Sequence, residues 1–346
     1  MNIFFAPFIT SFLLAVALLA GFIFLGRKIN LTDSRNSKRH IHSAQISRLG
    51  GIAIIISFIL ALLIDKRLVI ETPLLAVIFV SGAILIFGLV DDFRELSWKA
   101  QLFFQIMIVI LLYCAGIRLE YISNPLGGII LFDGTFWQLV GFLLASVWVI
   151  FVVNVLNWTD GIDGASGGIS IICALTIFFL SLKPEVNQPP VGIITAALVG
   201  SLLAFLLFNF HPAKIMAGTS GSMFMGFILA ALAIFAGAKI ATTLLVLAIP
   251  ALDALWVIFE RIRFGKFIFH ADRRHLHFRL LELGWSQRKI CILYYGVTLL
   301  IALIALNTRI SGKVLTFLIF LAIMAVFLAV INKKINTQKE TPKTEF

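Results

Sequence analysis

Long apolar runs separated by short polar connections dominate the chain from residue 3 to residue 331. About eleven of them approach 20 residues, the length that an α-helix needs to cross a hydrocarbon core. The runs are continuous, whereas a membrane β-barrel requires alternating apolar and polar positions. The pattern therefore predicts an all-α polytopic membrane protein. The predicted spans cover residues 3–26, 49–64, 73–90, 100–117, 136–156, 165–182, 191–209, 222–238, 240–260, 289–306 and 313–331.

The basic residues are divided unevenly between the two alternating sets of connections. Of the 28 Lys and Arg, 21 fall in one set, with the C-terminal tail, and 7 in the other. Because cytoplasmic connections are enriched in Lys and Arg, the larger set is predicted to be cytoplasmic, with the N-terminus outside and the C-terminus inside. The net charge of +11 then follows from topology, and nucleic-acid binding need not be invoked.

Composition supports the same class, because 60% of the residues are hydrophobic and only 13% are charged. A soluble domain of this size does not use so much apolar surface. We expect one integral membrane domain over residues 1–331 and a polar, disordered cytoplasmic tail over residues 332–346. Residues 118–135 carry turn signals between short β-prone pieces and predict a small hairpin on the outer side.

The stretch NVLNWTDGIDGASGG, from Asn154 to Gly168, concentrates polar groups between two apolar runs. It contains Asn154, Asn157, Asp160 and Asp163, and its glycines favour a close backbone turn over a regular helix. These oxygens and amides suit a uracil, a ribose or a metal-bound phosphate. The alternative is a polar loop whose side chains cap the flanking helices.

A second polar stretch, VDDFRE, ends the third apolar run at Val90–Glu95. The adjacent carboxylates of Asp91 and Asp92 repel one another at a membrane edge. A hard cation such as Mg²⁺ relieves this repulsion, since it prefers oxygen ligands and is often held by one or two carboxylates plus substrate phosphates. The alternative is a solvated helix end in which Arg94 and Lys99 pair with the acids.

Three further stretches on the predicted cytoplasmic side suit anions. The first connection, Asp33 to Gly51, is basic and contains His40 and His42; it is a candidate wall of a phosphate-binding cleft, and the alternative is orientation charge with lipid headgroup contact. Its Gly50-Gly51 pair would let the second helix approach a neighbour closely. The stretch from Phe208 to Gly226 contains Lys214 and a Gly/Ser/Thr-rich helix start, whose free N–H groups form an anion site. The connection RIRFGKFIFHADRRHLHFRLLELGWSQRK carries Arg273, Arg274, His275 and His277; it suits a diphosphate better than zinc. Asp253, within the ninth run, is a functional or pairing candidate.

Taken together, these stretches resemble the polyprenyl-phosphate N-acetylhexosamine-1-phosphate transferases, which include phospho-N-acetylmuramoyl-pentapeptide transferase. VDDFRE, NVLNWTDGIDGASGG and HADRRHLHFRLLELG carry the resemblance in the expected order, and HADRRHLH is typical of the N-acetylglucosamine branch. The resemblance implies ten or eleven transmembrane helices in a bacterial-type inner membrane, with a cytoplasmic active site. It implies transfer of a sugar-1-phosphate from a UDP-N-acetylhexosamine to polyprenyl phosphate, with release of UMP and initiation of cell-envelope glycan synthesis.

The resemblance also implies roles for individual residues. It assigns Asp91 and Asp92 to metal binding and catalysis, Asn157, Asp160 and Asp163 to nucleotide and metal, and His275 and His277 to the diphosphate. It implies Mg²⁺ or Mn²⁺ as cofactor, Asp163 as a further catalytic candidate, membrane lipids as partners, and leaves a homodimer open. The remaining substrate-binding candidates are Asn154, Lys214, Arg273 and Arg274.

One departure from the family pattern keeps alternatives open. The usual Gly-Asp-x-Gly-Ser appears here as Gly218-Thr219-Ser220-Gly221-Ser222, so an expected aspartate is Thr219. A neutral hydroxyl suits a hard divalent cation less well than a carboxylate does. The transferase hypothesis therefore competes with a catalytically weakened relative that binds lipid phosphate or nucleotide, and with a polytopic transporter. Within the transferase hypothesis, direct attack by the lipid phosphate competes with an aspartyl phospho-enzyme.

Overall fold

The computed structural model describes residues 2–29, 46–237, 239–267 and 273–340. Helices make up most of these ranges, as the apolar runs predict, and one two-stranded sheet accompanies them. The elements are α1 (Asn2–Ile29), α2 (Gly50–Ile64), α3 (Thr72–Arg94), α4 (Trp98–Cys114), β1 (Tyr121–Ser123), β2 (Ile129–Leu131), α5 (Thr135–Thr159), α6 (Ala165–Ser181), α7 (Pro189–Asn209), α8 (Gly218–Phe235), α9 (Ile240–Val246), α10 (Ala248–Arg263), α11 (Leu276–Glu282), α12 (Gln287–Asn307) and α13 (Ile310–Glu340).

Seven helices in the described ranges are long and apolar enough to cross a membrane, namely α1, α3, α5, α7, α8, α12 and α13. The bent pair α9–α10 would make an eighth span, and α2, α4 and α6 are shorter apolar helices. Each of the eleven predicted runs coincides with one helix or with the bent pair. The prediction of a multi-pass helical membrane protein is confirmed.

Helix α8 forms the centre of the bundle. In its most apolar stretch 89% of the residues are buried, against 17% in α1 and in α13, whose side chains face outward. A helix that is apolar all round can be buried on every side, and α8 is surrounded by other helices in this way. Small residues let backbones approach in membrane bundles, and three glycine contacts join α8 to its neighbours: Gly51 with Gly221, Gly88 with Ser220, and Gly226 with Val153.

These contacts fix α2, α3 and α5 against α8. A β-carbon on Gly51 would lie 2.2 Å from the Gly221 nitrogen, and one on Gly88 would lie 2.3 Å from the Ser220 α-carbon. Since α3 ends at VDDFRE and α5 ends just before Asp160, this packing brings the predicted polar stretches to one end of α8.

The predicted span over residues 240–260 is not one straight helix. The chain bends by 80° between α9 and α10. Leu247 lies at the break, with a backbone outside the helical region (φ −83°, ψ 16°), and Pro250 sits in the first turn of α10. Proline is tolerated there, because the first-turn N–H groups of a helix have no intrahelical partner.

The hairpin predicted within residues 118–135 is confirmed. Strands β1 and β2 pair antiparallel, with Ile122 opposite Ile130. Its Tyr121 hydroxyl donates to the Gly237 carbonyl at 3.1 Å, which anchors the hairpin to the connection that follows α8.

The expected disordered tail is corrected for its first part, because α13 continues without a break to Glu340. Asn332 helps to anchor this extension, since its amide donates to the Glu260 carboxylate at 3.1 Å and its Oδ1 accepts from Arg279. Residues 341–346 lie outside the described residues.

Candidate functional site

The turn between α5 and α6 is held from two sides. Helix α5 ends at Thr159 and α6 begins at Ala165, with Gly164 at a positive φ of 84°. The Asp163 backbone N–H donates to Gln287 Oε1 at 2.9 Å, and the Gly164 N–H donates to Asn209 Oδ1 at 2.9 Å. The glycine-rich turn predicted from the sequence is therefore confirmed over residues 160–164, whereas Gly167 and Gly168 belong to α6.

The two carboxylates of this turn have different surroundings. Asp163 is fully buried, and its Oδ2 lies 2.7 Å from His211 Nδ1 and accepts from the Ala213 N–H at 3.1 Å. Asp160 accepts a hydrogen bond from the Ser166 hydroxyl. Removal from water raises the pKa of Asp160 to about 7, and the nearby negative charge of Asp92 acts in the same direction.

The carboxylates of VDDFRE lie against the start of α8. Asp91 is buried; it accepts from the Leu96 N–H and from Gln101 Nε2 at 3.0 Å each. Its other oxygen accepts from the Thr219 hydroxyl at 2.8 Å. Asp91 therefore has three donors, and the solvated helix end considered above does not describe this residue.

Asp92 occupies the N-terminus of α8. Both of its oxygens accept from the Thr219 backbone N–H at 3.0 Å, and Arg48 Nη1 lies 3.8 Å away. Gly218 makes the approach possible, since a β-carbon there would lie 2.5 Å from Asp92 Oδ2. The start of α8 thus binds a carboxylate of the chain itself, as a helix N-terminus favours anions.

The close approach predicted for Gly50-Gly51 is confirmed. The Gly50 N–H donates to the Met216 carbonyl at 3.0 Å, and the Gly51 N–H donates to the Ala217 carbonyl at 2.9 Å. The segment that contains Arg48 therefore runs beside the segment that contains Thr219. His40 and His42 lie outside the described residues.

The two asparagines of α5 make contacts with neighbouring helices. Asn157 Oδ1 accepts from the Ser222 hydroxyl at 2.8 Å, close to the start of α8. Asn154 donates to Gln105 Oε1 at 2.9 Å and to the Ile150 carbonyl at 2.7 Å. Asn157 thus lies near the carboxylate cluster of Asp91, Asp92 and Asp160, whereas the amide of Asn154 joins α5 to α4.

The histidine connection reaches the same turn. His275 is buried, and its Nδ1 lies 2.9 Å from Asp253 Oδ2, which confirms Asp253 as a pairing residue. The His277 ring is parallel to it at 5.8 Å, and a β-carbon on Gly161 would lie 2.3 Å from His277 Nε2. His277 therefore faces the backbone beside Asp160.

His277 is 1% exposed, and its Nε2 has no hydrogen-bond partner among the described residues. Burial lowers the pKa of His277 to about 3, and the neighbouring His275 adds to this effect. The expected cationic role therefore does not suit His277 in this conformation, where the ring is neutral and could donate or accept one hydrogen bond.

The remaining basic candidates lie farther out. Lys214 and Arg273 are exposed, and the Arg274 guanidinium lies 5.6 Å from the Phe264 ring centre. Cations at the rim of a cleft attract an anionic ligand without bearing the cost of burial. Asp272 and the rest of residues 268–272 lie outside the described residues.

Sequence reasoning missed the residues that orient the turn. His211 lies in the stretch from Phe208 to Gly226, but no spacing singles it out, and its partner Asp163 is 48 residues away. Gln287 and Asn209, which accept from backbone N–H groups of the turn, are likewise distant in sequence. Arg48 was counted as orientation charge, whereas it lies beside Asp92.

The donor set can be tested against a divalent cation. In the described parts of the chain, no group of three or more His, Cys, Asp or Glu side chains is close enough to hold a metal. The Asp91 and Asp163 carboxylates are already engaged by several donors. The negative charges of Asp92 and Asp160 repel one another. This fits a cation that binds one or two carboxylates and arrives with substrate phosphates.

The family model described as glycosyl transferase family 4 matches residues 74–237. A probable undecaprenyl-phosphate N-acetylglucosaminyl 1-phosphate transferase of Bacillus subtilis is 27% identical over 92% of this chain and 89% of its own length. A decaprenyl-phosphate N-acetylglucosaminephosphotransferase of Mycobacterium leprae is 31% identical, with coverage of 86% and 83%. A phospho-N-acetylmuramoyl-pentapeptide-transferase of Halalkalibacterium halodurans is 29% identical, with coverage of 86% and 95%.

Proposed function

Because the chain belongs to the polyprenyl-phosphate N-acetylhexosamine-1-phosphate transferases, within glycosyl transferase family 4, we propose that it transfers N-acetylhexosamine-1-phosphate from a UDP-sugar to polyprenyl phosphate. UMP is the second product, and the lipid-linked sugar begins a cell-envelope glycan. Relatives named as N-acetylglucosamine transferases cover most of the chain, so we take UDP-N-acetylglucosamine as the first substrate to test.

One observation in particular supports this proposal. Asp91 and Asp92 both accept hydrogen bonds from Thr219 at the N-terminus of α8, and Asp160, from a distant stretch, is near enough for the charge of Asp92 to act on it. A cluster of partly desolvated carboxylates is costly unless it serves a ligand or a cation. The exposed Lys214 and Arg273 add positive charge for a diphosphate.

Asp92 and Asp160 are the residues that would hold Mg²⁺ or Mn²⁺, with Asp91 fixed beside them. When bound, the cation would neutralise charge on the diphosphate. The chain's own residues then have positional tasks. Arg48 attracts the diphosphate, the turn around Asp163 is kept rigid by α12, and the neutral His277 is placed to exchange a hydrogen bond beside Gly161.

The attacking group needs little activation. A phosphate monoester has a second pKa near 6, so the lipid phosphate is largely ionised at neutral pH. The main task is to bring two anions together in line, which fixed dipoles and cations accomplish. We therefore favour direct attack of a lipid phosphate oxygen on the phosphorus that carries the sugar. The bond to the UMP oxygen breaks, and UMP leaves as the anion.

We further propose that all eleven apolar segments cross the inner membrane, with the N-terminus outside and the C-terminus inside. The excess of Lys and Arg in one set of connections supports this orientation. It places the cluster around Asp92 on the cytoplasmic side, where UDP-sugars are available. Cysteine labelling from one side of intact membranes tests the orientation.

The activity is tested by UMP release from purified protein with UDP-N-acetylglucosamine, undecaprenyl phosphate and Mg²⁺. We expect release in wild type, and a fall of at least ~100-fold in Asp92→Asn and Asp160→Asn, since each loses a charge in a preorganised site. Asp133→Asn is the matched control, because Asp133 is exposed beside the outer hairpin. No release by folded wild type across a panel of UDP-N-acetylhexosamines would refute the proposal.

A second candidate is a relative that binds the substrates but turns over weakly. The observation that favours it is Thr219, whose hydroxyl and N–H engage both Asp91 and Asp92 where the family usually has another carboxylate. Such a protein would bind UDP-sugar in a direct binding assay and release no UMP under conditions where a matched relative does.

A further inference from the structure

Three lysines from distant connections meet at the other end of the bundle. Lys183 follows α6, Lys239 precedes α9, and Lys313 lies in the first turn of α13. All three belong to the set of connections with few basic residues, which the charge count places outside. Their convergence is therefore not explained by the enrichment of cytoplasmic loops in Lys and Arg.

Specific contacts bring the lysines together. Lys183 Nζ donates to the carbonyl of Leu306, at the end of α12, and Lys313 Nζ donates to Thr242 Oγ1 at 2.6 Å. Thr242 lies in the first turn of α9, and Lys239 is the N-cap residue of that helix. The charges of Lys183 and Lys239 both act on Lys313.

The positive charge of this lysine cluster is not balanced by the described part of the chain. None of the three ammonium groups forms an ion pair with a carboxylate there. All three residues are half-buried, and burial lowers the pKa of Lys239. Like charges gathered in a partly desolvated place cost free energy unless an anion joins them.

The lysines also retain unused donors. An ammonium group has three N–H donors. Lys183 and Lys313 each donate one hydrogen bond to the described residues, which is a structural role, whereas the Lys239 side chain donates none there. Two of the three ammonium groups are held in place, and their other N–H donors remain available. This arrangement suits an anion with several oxygens.

This cluster is separate from the carboxylate cluster. Lys239 follows the C-terminal end of α8, whereas Asp92 contacts its N-terminal end. The 18 residues of α8 correspond to roughly 26 Å of helix rise. A ligand at the lysines therefore cannot be the substrate diphosphate held beside Asp92.

From this geometry we propose that Lys183, Lys239 and Lys313 bind a phosphate group on the face opposite the transferase site. The phosphate could belong to an anionic phospholipid headgroup or to a free phosphate ion, and the three ammonium groups would recognise either. A bound phosphate would connect Lys183, which follows α6 and contacts the end of α12, with the starts of α9 and α13. It should therefore stabilise the bundle.

Thermal unfolding in defined lipid tests the proposal. Purified protein in zwitterionic phosphatidylcholine nanodiscs receives either phosphatidylglycerol in the bilayer or inorganic phosphate in the buffer. We expect one of the two to raise the thermal midpoint of the wild type in a saturable way. Lys239→Gln should lose most of that rise, because the variant removes one of three cations without removing a side-chain hydrogen bond to the described residues.

Lys66→Gln is the matched control, because Lys66 is exposed in a connection of the same predicted face. It should keep the full response to the anion. A response to phosphatidylglycerol alone identifies a lipid headgroup, and a response to inorganic phosphate identifies the free ion. The proposal is overturned if neither anion stabilises the wild type, if Lys239→Gln responds as strongly as the wild type, or if Lys66→Gln loses as much of the response as Lys239→Gln.

The anion-free state provides an independent measurement. Without an anion, Lys239→Gln should be at least as stable as the wild type, because it relieves repulsion within the cluster. A lower midpoint without anion would show that Lys239 stabilises the fold through the protein alone, which would also overturn the proposal.

Discussion

Replacing Thr219 by aspartate would test how the chain manages its carboxylate cluster. The Thr219 hydroxyl donates to Asp91 at 2.8 Å, and its backbone N–H serves both oxygens of Asp92. Aspartate at this position keeps the backbone donor. It exchanges the hydroxyl donor for a third carboxylate beside two others, which restores the pattern usual in the family.

The cost without metal can be worked from these contacts. A hydrogen bond to a charged group contributes about 1.5–3 kcal/mol. A second negative charge at ~4 Å from a buried carboxylate adds roughly 4 kcal/mol of repulsion at an effective dielectric constant near 20. Relaxation and protonation reduce the sum, so we expect Thr219→Asp to lose several kcal/mol of stability in the absence of a divalent cation.

A bound divalent cation should offset the loss of stability in Thr219→Asp. A cation that binds only the folded state stabilises it in proportion to the logarithm of its concentration over its dissociation constant. Because the third carboxylate adds a charged oxygen ligand, Mg²⁺ should raise the midpoint of Thr219→Asp more than that of wild type. UMP release at limiting Mg²⁺ should also increase.

Two variants separate charge from hydrogen bonding. Thr219→Ser keeps the hydroxyl and should behave like wild type. Thr219→Val removes the hydroxyl without adding charge, so it should lose only the hydrogen-bond contribution and gain no response to Mg²⁺. The reasoning fails if Thr219→Asp is as stable as wild type without metal, or if its Mg²⁺ response equals that of Thr219→Val.

Three further predictions concern the scaffold. Gly51→Ala should cost at least ~1–3 kcal/mol in thermal unfolding, because its β-carbon would lie 2.2 Å from backbone, whereas Gly82→Ala, with open space around it, should cost nothing. Arg279→Ala should cost about 3–5 kcal/mol, since it strands the Glu260 carboxylate that it binds at 2.6 Å; adding Glu260→Gln should recover part of the loss. The Arg67 hydrogen bond lowers the pKa of Asp65 below its ordinary value near 4. The ionised Asp65 therefore contributes to folding stability above that ordinary pKa, and the contribution is lost as the pH falls through the lowered pKa of the folded state. Wild type should therefore lose more stability on acidification than Asp65→Asn, and equal losses would contradict this.

Local patterns predicted the elements well because local physics decides them. Each apolar run became a helix or the bent pair, and the turn at residues 160–164 formed where its glycines were expected. The approach of Gly50-Gly51 to a neighbour followed from the absence of side chains, although the neighbour could not be named. The break at Leu247 was missed, because hydropathy does not distinguish a straight span from a bent one.

The sequence also predicted site roles for some residues that the structure places in other contacts, and it gave no signal for others. Asn154 lies in the same polar stretch as Asn157, yet its amide donates a hydrogen bond to Gln105 on α4. His277 carries the residue type of a cation, but burial leaves it neutral. His211 had no local signal, because its partner Asp163 lies 48 positions away and meets it only after α6 and α7 have packed together.

The sequence by itself therefore determined the class of protein, the order of its helices and the stretches that contain the candidate site residues, since each depends on residues that are neighbours in the chain. Only the tertiary structure decided which carboxylates share a site. Thr219 and Asp91 are 128 positions apart, and their contact exists because glycines let α2, α3 and α5 close around α8. Contacts among α6, α9, α12 and α13 gather three lysines at the opposite end, where no stretch of sequence signalled a cluster.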